Sequence, residues 1–315
     1  MEVRKVNGFF IIFVIGYIGL SVVCASIMAY AQNSGIAVPD WIQYVMSEGI
    51  ILLIAIIYMI VQKIDPIREI PYKRIGIVDV ILSLVAGYCL IPAVLLISNL
   101  SMLFSTNYLE EGTTTLLTYP FAMQVILLAV IPPLVEELIF RGIFFGSYRK
   151  AGMTGAALMS GLLFGCFHLN INQALYAFVM GIVFAYMVEA TGSLWSSVIA
   201  HFAVNTYSIG IVQILKMAGM YAQVSETFEN AESVAGQSTA ITVVQIAMIA
   251  VIAAVFMMLA VLCIRTMAKR HGNLEKMKIQ KVKLSHIKNY FTAPVIVGIV
   301  VCVMYMIMLE FSGTL

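Results

Sequence analysis

The 315-residue chain is 62% hydrophobic and only 11% charged, with a net charge of +2 and a mean hydropathy of +0.99. A soluble domain carries about 25% charged residues, so this chain lacks the polar groups to cover a water-facing surface, and a water-soluble globule is excluded. Apolar runs of roughly 20 residues, the length that crosses a bilayer, recur from end to end, unlike the short alternating segments of a membrane barrel. The predicted fold class is all-α: a polytopic transmembrane helix bundle of about nine spans.

In chain order, a short tail with Arg4 and Lys5 precedes a first helix over about Gly8–Ala31, too long for the core of a signal peptide. Helix two covers about Tyr44–Val61 and helix three about Asp79–Phe104. Helix four starts near Pro120 and carries Pro132 and Pro133, where the missing amide donors predict a bend. It resumes through Leu134 to about Ser147. Helix five, about Thr154–His168, has Ala157, Gly161 and Gly165 at spacing four, and helix six, about Gln173–Glu189, has Ala177, Gly181 and Ala185. Such small-residue stripes let neighbouring helices approach closely. Ser193 is the expected N-cap of helix seven, about Leu194–Leu215. Helix eight covers about Ala240–Ile264 and helix nine about Phe291–Phe311. By organisation the chain divides into N-terminal helices (1–118), a central segment holding the chemistry-bearing residues (119–215) and C-terminal helices with a basic loop (216–315).

Charge gives the orientation. Taking loops alternately, one side collects Arg4, Lys5, Lys63, Arg68, Lys73, Arg74, Arg149, Lys150 and the Arg265–Lys288 cluster, while the other holds Lys216 and most of the loop acids. Short cytoplasmic loops are enriched in Lys and Arg, which places the N-terminus in the cytoplasm and, with nine spans, the C-terminus outside. The Lys276–Lys288 stretch reads as an ordinary positive-inside loop or as a segment lying on anionic lipid. The cysteines, Cys24, Cys89, Cys166, Cys263 and Cys302, all fall in apolar segments without a CxxC pair, and read as small packing residues.

Ionisable side chains inside apolar segments are costly and face a bundle interior or a water-filled cavity. Glu136, Glu137, Arg141, His168, His201 and Asn205 are such residues. Glu137 and Arg141, four apart, share a helix face and pair, while Glu136 points about 100° away. Two adjacent carboxylates in a low-dielectric site cannot both ionise cheaply, and pairing of Arg141 with Glu137 leaves Glu136 free for general-base work. The bland reading is a helix-end salt bridge. Phe164 lies one turn before His168 and can pack on its ring, unless His168 is simply a helix-end histidine at the membrane surface. His201 and Asn205 share a face as a donor pair, or serve only an interhelical hydrogen bond. Counted from the helix ends at about 1.5 Å per residue, Glu136, His168 and His201 lie roughly 10–20 Å deep and can meet in one cavity.

The pattern Glu136-Glu137-x-x-x-Arg141, Phe164-x-x-x-His168 and His201-x-x-x-Asn205 resembles the CAAX protease and bacteriocin-processing enzyme family, also called Abi proteins, which includes the Ras-converting type of prenyl endopeptidase. The resemblance covers about Pro120–Tyr207. It implies a membrane-embedded endopeptidase in which Glu136 and His168 activate water, His201 and Asn205 stabilise the oxyanion, and Glu137 with Arg141 orients the site. Members are often named metalloproteases, and Glu136, His168 and His201 could instead be three ligands of a catalytic zinc with water in the fourth position. The expected partners are a peptide or lipidated-protein substrate and membrane lipids, with no nucleic acid, in a multi-pass protein of a bacterial cell membrane. Two other classes compete: a membrane immunity or scaffold protein of the same fold that acts by binding, and a transporter that uses the Glu and His residues as a proton relay. The acidic loop Glu226–Glu232 and the helices before Pro120 are candidates for substrate gating.

Overall fold

The computed structural model describes residues 3–105, 119–220, 239–279 and 284–312, and among them the regular structure is helical throughout, with no strand. The Glu110–Glu111 loop, the acidic Glu226–Glu232 loop and Lys281 and Lys283 lie outside the described residues. The principal helices are α1 (Val3–Asn33), α2 (Trp41–Val61), α3 (Ile77–Ser101), α4 (Phe121–Ala151), α5 (Met153–Phe167), α6 (Ile171–Thr191), α7 (Leu194–Met217), α8 (Thr239–Arg270) and α9 (Ala293–Ser312). All but α5 are long and apolar enough to cross a bilayer, which makes this a multi-pass bundle of eight such helices among the described residues. The expected ninth span is present as a helix but has only 15 residues. At 1.5 Å per residue it rises about 22 Å, short of the roughly 30 Å hydrocarbon core.

The short helix changes the interior more than the topology. Its C-terminal end falls inside the bundle, where Leu169, at φ 54°, and Asn170 turn the chain into α6. Non-helical backbone at membrane depth is tolerated where protein buries it, and here Leu169, Asn170 and Asn172 are all buried. The Asn170 side chain accepts from the Gln173 amide at 3.0 Å and caps α6. Asn172 donates to the Ser98 carbonyl at 3.0 Å and bonds the Ser101 hydroxyl at 2.7 Å, tying the turn to the end of α3. Between α5 and α6 the two small-residue stripes meet. A Cβ on Gly181 would lie 2.6 Å from the Gly161 Cα, and one on Gly165 would lie 2.5 Å from the Ala174 carbonyl oxygen.

The loops that carry basic residues gather at one end of the bundle. The Leu194 amide donates to the Pro71 carbonyl at 2.8 Å, and the Ser193 hydroxyl, itself the expected cap of α7, reaches the Lys73 carbonyl at 2.5 Å. Arg149 pairs with Glu189, so α5 and α6 form a hairpin that returns to this end. Asn273 donates to the Ala190 carbonyl, and Arg270 and His271 bond the carboxylate of the buried Asp79 at 3.2 and 3.0 Å. At the same end Asn7 donates to the carbonyl oxygens of Asn289 and Tyr290 and receives the Tyr148 hydroxyl at 2.7 Å. Asn7 is fully buried, and nothing in the spacing of the N-terminal residues marks it as the pin of three segments.

On the inner face of α1, Phe9, Phe13, Phe140, Phe144 and Phe167 interlock between α1, α4 and α5, with Phe13 stacked on Phe167 at 4.5 Å. Outward faces carry large apolar residues, such as Ile12, Ile27, Ile60 and Val251, each more than half exposed and facing where lipid tails would lie. The described cysteines are all free thiols, as packing residues require. A Gly181→Ala protein should show a lower thermal unfolding midpoint in micelles. Overpacking against the Gly161 backbone costs about 1–3 kcal/mol, more than the roughly 1 kcal/mol that Ala gains in helix propensity. Gly19→Ala, where the added carbon meets nothing within 4 Å, should leave the midpoint unchanged or raise it slightly.

Candidate active site

The expected bend in α4 takes a specific form. The helix runs as two π-helical stretches, Val125–Val130 and Leu138–Phe145, around an α-helical turn, Ile131–Glu137. Pro132 and Pro133 lie at the start of that turn, where their missing donors cannot serve the usual ladder. π-turns of this kind recur at functional sites because they re-aim side chains within a helix. Glu136 and Glu137 sit at the junction with the second stretch, which carries Arg141.

Glu137 and Arg141 form the expected ion pair, Oε1 to Nη1 at 2.9 Å, with both side chains fully buried. The same Glu137 oxygen accepts from His201 Nδ1 at 3.1 Å. Arg141 lies with its guanidinium carbon 4.2 Å from the Phe164 ring centre and 5.2 Å from that of Phe184. Gly181 leaves room for it, since a Cβ there would come within 3.1 Å of Nη2. Arg141 Nε and Nη2 have no hydrogen-bond partner in the protein, so the two rings supply the remaining contact with the cation.

Glu136 is turned away from this network. Its Oε2 is buried without a hydrogen-bond partner and lies 3.8 Å from His201 Nε2, beyond hydrogen-bonding range. His168 follows the last turn of α5, packed edge-on against Phe164 at 4.6 Å, and its Nδ1 bonds the Phe164 carbonyl at 2.7 Å. A carbonyl only accepts, so Nδ1 carries the proton and a neutral ring keeps its lone pair on Nε2. Asn205 lies one turn beyond His201 and donates one amide hydrogen to the Leu128 carbonyl at 3.0 Å, in the first π-helical stretch of α4. Its second amide hydrogen is not committed by that bond.

Glu136, His168, His201 and Asn205 line one cavity of about 450 Å³ between α2, α3, α4, α6 and α7. A second lobe of about 570 Å³ opens toward α1 and α9, and Ser47, Glu48, Glu136, His168 and Gln173 line both. Glu137 and Arg141 stand behind the wall. Glu48 lies outside the motifs that mark the other site residues in the sequence. It is the one charged residue of α2, a signal of the same kind that drew attention to Glu136. Its neighbour Ser47 is hydrogen-bonded to Tyr17 of α1 at 2.9 Å, which fixes the wall beside it.

Glu136, His168 and His201 do not fit a three-ligand zinc site in this arrangement. Among the described residues no three His, Cys, Asp or Glu side chains come together as a metal-ligand set.

Comparison with known proteins follows the same stretch of chain. Residues 118–207 match the family model described as Rce1-like, Type II CAAX prenyl endopeptidase Rce1-like. Over these residues the chain is similar to the Rce1-like family. The Bacillus subtilis (strain 168) protein named "Putative membrane peptidase YdiL" is 33% identical over 88 residues, which is 28% of this chain and 36% of that protein. The chain therefore matches about a third of the length of that relative. No solved structure matches. The Rce1-like segment runs from the start of α4 to the middle of α7 and contains Glu136, Glu137, Arg141, His168, His201 and Asn205. Glu48 and the other α1, α2 and α9 residues that close the second lobe lie outside it.

Removing one partner of a buried ion pair leaves the other charge uncompensated, at a cost of about 3–5 kcal/mol. Glu137→Gln should therefore lower the thermal midpoint sharply, whereas Glu136→Gln, whose carboxylate holds no ion pair in the network, should unfold close to the unsubstituted protein. Parallel melting curves in the same detergent check both.

Proposed function

We propose that this chain is a membrane-embedded endopeptidase that hydrolyses a peptide bond of a lipidated or membrane-associated substrate, with a water activated by Glu136 and His168. The observation that carries the reading is the separation of roles in α4: Glu137 is locked to Arg141 and His201, while its neighbour Glu136 faces the cavity with an unpartnered oxygen beside His168. The match of residues 118–207 to the Rce1-like family model supports the reaction class.

Glu136 takes a proton from the water, and the water oxygen bonds the carbonyl carbon. His168 Nε2, its lone pair set by the Phe164 carbonyl bond, orients that water from a second direction. The carbonyl oxygen becomes an oxyanion, met by the uncommitted amide hydrogen of Asn205 and by the Nε2–H of His201, which as an imidazolium keeps its Nδ1–H on Glu137. Donors fixed where negative charge develops are worth roughly 2.7–4 kcal/mol each. The C–N bond then breaks as the proton on Glu136 passes to the leaving amine, and the carboxyl product departs. No step passes through a metal. The end of the bundle that gathers the basic loops faces the cytoplasm in this reading, in keeping with the positive-inside rule.

Glu136→Gln should abolish cleavage in a protein that inserts and folds. Mass spectrometry of peptide termini, in membrane and secreted fractions of cells with either protein at matched levels, checks this and identifies the substrate; unchanged termini would remove the reading. Asn205→Ala should lower kcat by about 10²–10³. The strong zinc chelator 1,10-phenanthroline should leave the rate of the purified enzyme unchanged, and a loss restored by zinc would replace the activated-water mechanism with a metal-bound one.

A further inference from the structure

Glu48 is the carboxylate in the described lining of the cavity that the hydrolytic mechanism does not use. It sits at the waist where the two lobes meet, among the residues shared by both walls, and its Oε2 is buried without a hydrogen-bond partner. Glu136 offers a second unpartnered carboxylate oxygen to the same space. No lysine or arginine is among the described residues lining either lobe. Arg141 is already held by Glu137 behind the wall, and the lining does not include it. The cavity thus presents two carboxylates with no lysine or arginine facing them; the basic side chains in its lining are His168 and, on the side of Glu136, His201.

A carboxylate held at membrane depth is expensive until a cation offsets it. The donor set does not fit a three-ligand metal ion, since among the described residues no three His, Cys, Asp or Glu side chains converge. An organic cation on an apolar stem fits better. Around Glu48 the second lobe offers Ile18, Val22, Ala25 and Ile51 to methylene groups, and the hydroxyl-bearing Tyr17 and Ser47 next to the carboxylate. A peptide C-terminal carboxylate in this lobe would meet like charge and no compensating cation.

We propose that Glu48 determines specificity: it receives the ammonium or guanidinium of a substrate lysine or arginine side chain lying beside the scissile bond. The inference rests on the endopeptidase reading for the word substrate, but its binding test does not depend on turnover. The probes are N-acetylated, C-terminally amidated Ala-Leu-Xaa-Leu-Ala peptides with Xaa lysine, arginine, norleucine or glutamate. They are titrated by thermal shift against the full-length Glu136→Gln protein in micelles, which holds peptides without cutting them. Lysine and arginine peptides should bind roughly ten-fold or more tighter than the norleucine peptide, and the glutamate peptide most weakly. Adding Glu48→Gln should bring the lysine-to-norleucine ratio to about one.

Equal affinity for lysine and norleucine, a preference that survives Glu48→Gln, or no binding of any probe at millimolar concentration would each overturn the proposal. Glu48→Asp guards against a folding defect, since it keeps the charge and should retain the order of preference. The endopeptidase reading is judged separately, by whether cleavage in cells depends on Glu136. A Glu136-dependent protease with no basic preference would sink this inference alone, whereas Glu136-independent termini would sink the hydrolytic reading and leave the binding result standing.

Discussion

The site depends on one buried charge arrangement: Arg141 held by Glu137 and laid against Phe164 and Phe184. A guanidinium and a carboxylate out of water are tolerable only as a pair with good geometry. Every element of the central segment contributes to that condition. α4 supplies both charges, α5 supplies one ring, α6 supplies the other ring and the glycine that leaves room, and α7 supplies the histidine that shares the Glu137 oxygen. Because Glu137 is committed on two sides, its neighbour Glu136 is left as the carboxylate that faces the cavity. The difference between two adjacent and identical side chains is thus created by their partners, not by their chemistry.

The close α5–α6 hairpin belongs to the same construction. Gly161 and Gly181 bring the two backbones together, and the same approach carries Phe164 and Phe184 to the guanidinium. A longer α5 would carry His168 past the level of Glu136. Ending the helix after 15 residues places the histidine, and a capped turn anchored by Asn172 on α3, at the depth of the cavity instead. The shortness that removes α5 from the spanning helices is therefore what positions one of the groups proposed to hold water.

Much of this was legible in the sequence, and for identifiable reasons. Length and apolarity mark each helix. The i,i+4 spacing of Glu137 and Arg141 predicts their pairing because helix geometry enforces it locally, and the stripes of Gly161 and Gly181 signal close approach. The alternating basic loops converge at one end, held by contacts such as Arg149 with Glu189. The extent of α5 was harder to see, since Leu169 and Asn170 interrupt a continuous apolar run without a proline or glycine to mark the stop. Asn7 and Glu48 were missed because each gains its meaning from segments far away in the chain. Asn7 touches residues more than 280 positions later, and no periodicity encodes that. Glu48 carries the same kind of local signal as Glu136, a charge in an apolar helix, but it stands alone there, with no adjacent motif.

The position of Glu48 also bears on how such a site divides its work between segments of the chain. The groups proposed for chemistry all fall within residues 118–207, where local helix geometry and one hairpin fix their mutual arrangement. The second lobe is closed by α1, α2 and α9, which lie outside that stretch and carry no part of the proton transfers proposed here. A substitution on those helices can change the size and charge of the lobe without disturbing the Glu137–Arg141 pair. Attack on a carbonyl is the same for every peptide bond, whereas the side chains beside that bond differ, so the two demands are best met by walls that can vary independently. In this chain the wall outside residues 118–207 carries one carboxylate, Glu48, and among its described lining residues no lysine or arginine, and in the proposal above that sign, more than the shape of the cavity, distinguishes one peptide from another.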